Sequence, residues 1–395
     1  MIPMTAGKFF FEKKFIFAFA VYFIVTFILL FQYGVQTGGE AEKYLDNANR
    51  ILRGDELRNG FFGIFYIAYS LIITFFVKFS IPLVFVAILQ LVVSFIAALA
   101  FYKLLLNAFQ KEFVAFLFFI AYLCCYPIQK WSYFLYSEGL HTSFVVIGIY
   151  FFDILLAERR KLLWSFIPAL LLISFSRPTG LIFLTTAALV SLMWLYRSNR
   201  KILFYLFSFL FLIGVVGIAN SPLTAFVNPD SLRRMEVICQ VPASNTDTAY
   251  QEFNRAGLMK AYTTIRDDIG FGNFFRLGME KLGRFFGMYR PYYSWKNNCL
   301  LLMYYIFYPF ALIGIFSRSG KRSFAVKAFS IIYLLITSMA IFLTCDDWAN
   351  RFISPAFPFI LILAAAGCCN IYDRIMRTHV QASSPYVSGN KIQNK

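Results

Sequence analysis

Residues 15–33 read FIFAFAVYFIVTFILLFQY, an apolar run that contains no charged side chain. A helix of roughly 20 residues crosses the hydrocarbon core of a bilayer, and it satisfies its own backbone hydrogen bonds on the way. A membrane β-barrel would instead show shorter segments in which apolar and polar residues alternate. The run therefore predicts a membrane-spanning helix.

Runs of this kind recur along the chain. Of its 395 residues, 59% are hydrophobic and 14% are charged, whereas a soluble domain is about a quarter charged. This composition predicts an all-α polytopic membrane protein with about ten or eleven transmembrane helices, which is not free in any aqueous compartment. Residues 1–372 form one transmembrane domain in this interpretation, and 373–395 form a disordered tail. The apolar segments are 15–33, 61–79, 82–106, 112–128, 139–157, 161–175, 179–196, 201–219, 299–317, 323–344 and 352–372.

The net charge of +17 fits a membrane protein better than a nucleic-acid-binding one. No nucleic-acid-binding motif accompanies it, and Lys and Arg concentrate in cytoplasmic loops and near anionic lipid. Lys8, Lys13 and Lys14 place the N-terminus in the cytoplasm, and basic turns at 159–161 and 318–322 lie on the same side. These sides fit a bacterial inner membrane, with the periplasm outside; an endoplasmic reticulum membrane would give the same pattern. The segments predicted to face the outer side are 34–60, 129–138, 176–178, 220–298 and 345–351.

One part of this topology is inconsistent. Lys103 and Lys111 look cytoplasmic, which allows one net crossing between residues 60 and 103, yet two apolar runs lie there. Either 61–79 is a re-entrant or interfacial segment, or the positive-inside rule fails locally.

Two outer segments are too long to be simple turns. In 34–60, apolar residues recur at helical spacing between Ala41 and Leu52, and 220–298 keeps many aromatic residues. Both are expected to fold against the membrane and to carry function. A disulfide between Cys239 and Cys299 is compatible with this arrangement, although nothing in the spacing requires it.

Charged and polar side chains gather where the apolar runs meet the outer face. Ionisable groups at membrane depth are costly, so they usually face a cavity or a partner. A carboxylate there can act as a general base on an attacking hydroxyl or amine, and arginines can hold a phosphate and stabilise it as a leaving group. A lipid-phosphate sugar donor presents such a phosphate at the membrane boundary, and no P-loop or dinucleotide fingerprint competes with this interpretation. The candidate residues are Glu40, Glu42, Tyr136, Ser137, Glu138, Ser176, Arg177, Asp346, Asp347, Asn350 and Arg351.

Each candidate also has a purely structural interpretation. Acids in a first helical turn, such as Glu40 and Glu138, could be solvated groups that suit the helix dipole. Arg351 could pair with Asp346 or Asp347, or reach lipid head groups. The two aspartates could instead bind a divalent cation, the one cofactor that the sequence suggests.

The outer-face motifs together resemble the polytopic GT-C glycosyltransferases, the superfamily that includes protein mannosyltransferases and aminoarabinose transferases. Many members carry Asp, three residues, Tyr, three residues and Ala after the first span; GGEAEKYLDNA supplies Glu40, Tyr44 and Ala48 at that spacing. Further stretches are similar to elements of the superfamily and occur in the same order across about residues 10–370. They are YSEGL (136–140), SRPTGL (176–181) and NRFISPAFP (350–358).

The resemblance implies a transferase that moves a sugar, with inversion, from a polyprenyl-phosphate carrier to a glycan, lipid or protein acceptor. Glu40 would be the general base, although the usual acid is Asp and the neighbouring Glu42 is close enough to serve instead. Arg177 and Arg351 would contact the donor phosphate, and Glu138 would position donor or acceptor.

Three further residues are candidates for substrate positioning: Tyr44, His141 and Arg290. Tyr44 belongs to the first motif, and Arg290 lies in an aromatic stretch, 284–295, that could line a sugar site. His141 is more often a satisfied polar residue within a helix bundle.

Other functions remain open at this level. A transporter or flippase of lipid-linked or anionic sugars would also gather charges, but it often shows repeats in its two halves, and none is found here. A lipid-linked glycan ligase or polymerase, and a catalytically inactive scaffold, are the remaining alternatives.

Overall fold

The computed structural model describes residues 5–58, 60–157, 163–198, 200–219, 237, 262–318, 320–344 and 350–382. Within these ranges the regular structure is helical, apart from a single β-bridge between Gln36 and Phe134. The α-helices are α1 Thr5–Tyr33, α2 Glu40–Arg53, α3 Ile67–Lys78, α4 Val84–Phe109, α5 Glu112–Leu123, α6 Tyr126–Gln129, α7 Ser137–Leu156, α8 Leu163–Ser176, α9 Gly180–Arg197, α10 Lys201–Ala219, α11 Phe271–Gly287, α12 Trp295–Leu302, α13 Phe307–Phe316, α14 Lys321–Leu343 and α15 Phe357–Ala382.

The described helices confirm a polytopic, all-helical membrane protein. Seven of them are long and apolar enough to cross a membrane, and the pair 112–123 and 126–133, bent by 50°, makes an eighth if it is one span. The sequence predicted about ten or eleven spans. Of the remaining predicted runs, three give shorter apolar helices over the residues searched, Gly63–Lys78, Phe166–Ser176 and Lys201–Leu210, although α10 itself continues to Ala219.

Ion pairs between helix ends define one end of the bundle, here called the inner end. It holds the start of α1, the end of α4 and the end of α15, and the basic residues there are those that the positive-inside rule assigns to the cytoplasm. The opposite end, where α1 finishes and α2 begins, is called the outer end. The inner-end pairs are Lys14–Glu112 (2.8 Å), Lys111–Asp373 (2.7 Å) and Arg322–Asp153 (2.9 Å).

The segment 61–79 makes no net crossing. Near the start of α4, the Gln90 amide donates to the carbonyls of Ser132 (3.2 Å) and Phe134 (3.0 Å), and Phe134 pairs with Gln36, just after α1. Helix α4 therefore starts at the outer end and finishes at the inner end beside Lys111. The chain between α1 and α4 leaves from and returns to the outer end, so the re-entrant or interfacial alternative holds for α3.

Helix α2 lies on the bundle through a small apolar core of its own. Its buried residues, Ala41, Tyr44 and Ala48, recur at helical spacing, as the sequence predicted for this loop. The Tyr44 ring meets Tyr69 of α3 edge-on, with 4.8 Å between centroids. This packing fixes the first outer loop against α3 and α7.

Two other predictions concern the C-terminal tail and the Cys239–Cys299 disulfide. Helix α15 continues to Ala382, past residue 372, where a tail was expected to begin; Asp373, just beyond that boundary, pairs with Lys111 at 2.7 Å. Residues 383–395 lie outside the described ranges, as do Cys239 and most of 220–298, so the Cys239–Cys299 bridge lies outside them too. Within that long region, α11 is helical.

Candidate outer-end site

Four charged side chains from four separate segments meet at the outer end. The Arg351 guanidinium contacts Glu40, and the same nitrogen lies 3.4 Å from the Glu138 carboxylate. Glu138 in turn contacts the guanidinium of Arg177. The result is a continuous chain of alternating charges, Glu40–Arg351–Glu138–Arg177, which we call the outer-end ion-pair chain. Residues more than 300 positions apart in sequence thus form one cluster.

The Glu138 end of this chain is buried and the Glu40 end is not. The side chain of Glu138 is 1% exposed and that of Arg177 is 8% exposed, whereas Glu40 is 40% exposed. Buried charges persist only when paired. Within the described residues, neither carboxylate oxygen of Glu138 accepts a well-formed hydrogen bond, although both arginines are near. Oε1 of Glu138 lies against both guanidinium groups, and Oε2 has no hydrogen-bond partner among the described residues.

Glu40 is placed by the turn that precedes it. Gly39 has φ 65°, in the left-handed region, and a methyl group there would lie 2.7 Å from the Tyr136 hydroxyl. Glycine is the residue that meets both demands. The same hydroxyl lies 3.3 Å from the Glu40 amide nitrogen, which donates to it. Tyr136 thereby ties the start of α2 to the segment that leads into Glu138.

Arg351 is placed by a turn before α15. Asn350 has φ 59°, a conformation that asparagine adopts more readily than most residues. Its side-chain amide donates to the Met288 carbonyl (2.7 Å), and the hydroxyls of Ser354 and Thr142 are 3.1 Å apart. The turn is therefore fastened both to the end of α11 and to α7.

Lys43 also faces this cluster, and sequence reasoning missed it. Its ammonium lies 3.6 Å from the centroid of the Tyr66 ring. Burial lowers the pKa of Lys43 to about 8, while Glu40 acts to raise it and Arg177 to lower it. The available signal was position: Lys43 follows Glu40 by three residues, so the two share one face of α2.

Tyr44 and His141 lie beside the ion-pair chain but are already satisfied. The Tyr44 hydroxyl is 2.9 Å from the Ser137 hydroxyl, and it is fully buried. Both ring nitrogens of His141 have partners, Ser176 at 2.7 Å and Thr179 at 3.1 Å. These contacts give His141 a structural role that joins α7 to the turn carrying Arg177.

The remaining candidates bond to other groups, are exposed, or lie outside the described ranges. The Arg290 guanidinium donates to the carbonyls of Arg284 (2.9 Å) and Tyr289 (3.1 Å), which closes the end of α11. Glu42 is exposed on α2. Asp346 and Asp347 lie outside the described ranges, and within those ranges no group of three or more His, Cys, Asp or Glu side chains could hold a metal ion.

Comparison of the chain with protein-family models, with curated proteins and with solved structures finds no match.

Proposed function

We propose that the protein transfers a sugar from a polyprenyl-phosphate carrier to an acceptor hydroxyl or amine at the outer face of the membrane. The observation that carries this proposal is the outer-end ion-pair chain, in which two arginines and two carboxylates alternate at the membrane boundary. Lys43 beside them adds a third cation. Arginines in such an arrangement suit a phosphate, and a carboxylate suits proton removal.

Burial supports different roles for the two carboxylates. Glu138 is buried and is shared by Arg177 and Arg351, so it serves to hold both guanidinium groups in place. Glu40 is the more exposed acid, and its partner in the cluster is Arg351. A donor phosphate that binds Arg351 would take over this partner from Glu40. The freed carboxylate would then be available as a general base.

The chemical step is a single displacement. The acceptor oxygen or nitrogen attacks the anomeric carbon of the sugar while the bond from that carbon to the phosphate oxygen breaks. The electron pair of that bond leaves with the polyprenyl phosphate, whose charge the arginines stabilise. The acceptor proton passes to Glu40, and the configuration at the anomeric carbon inverts.

Turnover of defined donors tests the proposal. Wild-type protein in nanodiscs is incubated with a panel of polyprenyl-phosphate sugars and an extract of acceptors, and release of free polyprenyl phosphate is measured. Glu40→Gln should reduce release by about 100-fold or more, because general-base catalysis contributes roughly 10²–10⁴ in rate. Glu42→Gln is the matched control, since it makes the same change two residues away on the exposed side of α2.

The outcome also separates the alternatives. Full turnover by Glu40→Gln would contradict its role as the base, and selective loss in Glu42→Gln would transfer that role to Glu42. A transporter would move a labelled donor between leaflets without releasing polyprenyl phosphate. A ligase or polymerase would use a lipid-linked glycan as its donor and release the carrier of that glycan instead, and an inactive scaffold would release nothing.

A further inference from the structure

A polar cavity lies at the inner end of the bundle, opposite the proposed active site. It has a volume of about 740 Å³ and opens between the ends of α4, α13 and α15 and the start of α14. Neither the sequence motifs nor the proposed transfer reaction uses it. Its charged lining residues are Arg318, Arg322, Lys327, Asp373 and Arg374.

Positive charge dominates this cavity. Four basic side chains line it and one carboxylate does, and that carboxylate, Asp373, is paired with Lys111 at 2.7 Å. Arg322 is compensated by Asp153, which its guanidinium contacts at 2.9 Å. Each of these two ion pairs, Asp373 with Lys111 and Arg322 with Asp153, neutralises one acid and one base. Among the described residues no ion pair is found for Lys327 or Arg318, so their charge is in excess over the carboxylates that line the cavity.

Lys327 is the most informative of these residues, because it is buried. Only 5% of it is exposed, and its ammonium donates to the Ser317 carbonyl (2.6 Å) and hydroxyl (2.9 Å). Both oxygens are neutral, and in the described part of the chain no carboxylate forms an ion pair with Lys327. A buried ammonium without a counterion is costly. With three donors and two acceptors, Lys327 keeps one N–H group for an anion.

A neighbouring cavity indicates where such an anion would come from. This neighbouring cavity, of about 720 Å³, has a mainly apolar wall that includes Leu156, Trp194 and Phe324, and Arg322 lines both cavities. Its other polar lining residues are Asp153, Arg197 and Ser198. A polar, basic space beside a mainly apolar one matches a phospholipid, with its phosphate in the first and its chain in the second. Basic pockets between transmembrane helices on the cytoplasmic side bind anionic lipid head groups.

We propose that the inner-end cavity at Lys327 is a binding site for a phosphate-bearing anion, supplied as the head group of an anionic phospholipid. The ammonium of Lys327 would donate to a phosphate oxygen, and Arg318 and Arg374 would complete its charge compensation. The site does not depend on the transfer reaction proposed for the outer end.

Thermal stability in detergent tests this site. Delipidated protein is titrated with phosphatidylglycerol, with phosphatidylcholine of the same acyl chains, or with inorganic pyrophosphate, and the melting temperature is followed. Phosphatidylglycerol should raise it and phosphatidylcholine should not. Lys327→Met should raise the half-saturating phosphatidylglycerol fraction roughly tenfold, because a buried charge-assisted hydrogen bond is lost. Stabilisation by pyrophosphate as well would show that the phosphate group suffices, whereas stabilisation by the lipid alone would show that the acyl chain is needed.

Two further variants keep the test decisive. Arg318→Gln changes an exposed side chain of the cavity, so the variant should fold even if Lys327→Met does not, and it should weaken the lipid effect several-fold. Lys201→Met removes one exposed positive charge outside the lining and should leave the effect unchanged. Equal stabilisation by both phospholipids, or an equal loss in Lys201→Met and the cavity variants, would overturn the proposal.

Discussion

Replacing Glu138 with glutamine should destabilise the protein far more than the same replacement of Glu40. The variant keeps the shape of the side chain but removes the carboxylate that Arg177 contacts. In the described part of the chain, Arg177 has no other carboxylate partner, and its side chain is 8% exposed. An uncompensated guanidinium would then remain buried.

The expected magnitude follows from burial. Breaking a buried ion pair by removal of one partner costs about 3–5 kcal/mol, whereas a solvent-exposed pair contributes about 0–1 kcal/mol. For 395 residues, an unfolding entropy of about 0.8 kcal/mol/K turns the first cost into a fall of roughly 4–6 °C in melting temperature. Glu40→Gln should shift it by no more than about 1 °C, because Arg351 keeps Glu138 at 3.4 Å.

A double variant checks the reasoning. Glu138→Gln with Arg177→Gln removes both buried charges, so most of the lost stability should return while turnover stays low. The melting temperature is measured by intrinsic fluorescence in detergent, with Glu40→Gln as the control. If the double variant melts no higher than Glu138→Gln, or if Glu138→Gln melts within about 1 °C of wild type, the buried-pair argument is refuted.

Three other results are expected. Lys43 is cationic below its pKa of about 8 and neutral above it. The affinity for an anionic donor, measured by donor titration, should therefore fall roughly tenfold as the pH rises from 7 to 9. In Lys43→Met the affinity should not change over this pH range. Gly39→Ala should lower the free energy of unfolding by about 1–2 kcal/mol and abolish most turnover, because φ at this position is 65°. Adding Tyr136→Phe should recover part of the stability, since it removes the hydroxyl that the new methyl group would meet. No recovery would contradict this steric explanation. In a cysteine-free background, an impermeant maleimide applied from outside should label Lys78→Cys but not Lys13→Cys, and the opposite result would contradict the re-entrant path of α3.

The sequence predicted the broad architecture because its strongest signal is local. Apolar runs and helical spacing depend on about 20 consecutive residues or fewer, and they identified the apolar helices and the buried face of α2. Within the described residues, seven helices, or eight with the bent pair, are long and apolar enough to cross, which is fewer than the apolar runs in the sequence. Whether 61–79 crosses depends on where α4 begins, and contacts such as Gln90 with Ser132 fix that; these join residues far apart in sequence.

The candidate site was predictable as a set of residues but not as a network. Motif order indicated that Glu40, Glu138, Arg177 and Arg351 belong to one face, and the structure brings these four together. Which acid pairs with which arginine follows from tertiary packing, such as the Asn350 contact with Met288 that places Arg351. Their catalytic roles stay predictions until turnover is measured.

Glu138 and Glu40 differ in burial, so their ion pairs differ in how easily a ligand could replace a partner. The pair of Glu138 and Arg177 is buried, so exchange of its partners would expose a bare charge to a low-dielectric environment and cost several kcal/mol. The contact between Glu40 and Arg351 is half-exposed on the Glu40 side, and water can replace the arginine there at little cost. An incoming phosphate would therefore displace Glu40 and leave Glu138 in place. The acid that is easiest to displace is also the one proposed as the base, so in the proposed reaction donor binding and base activation would be the same event.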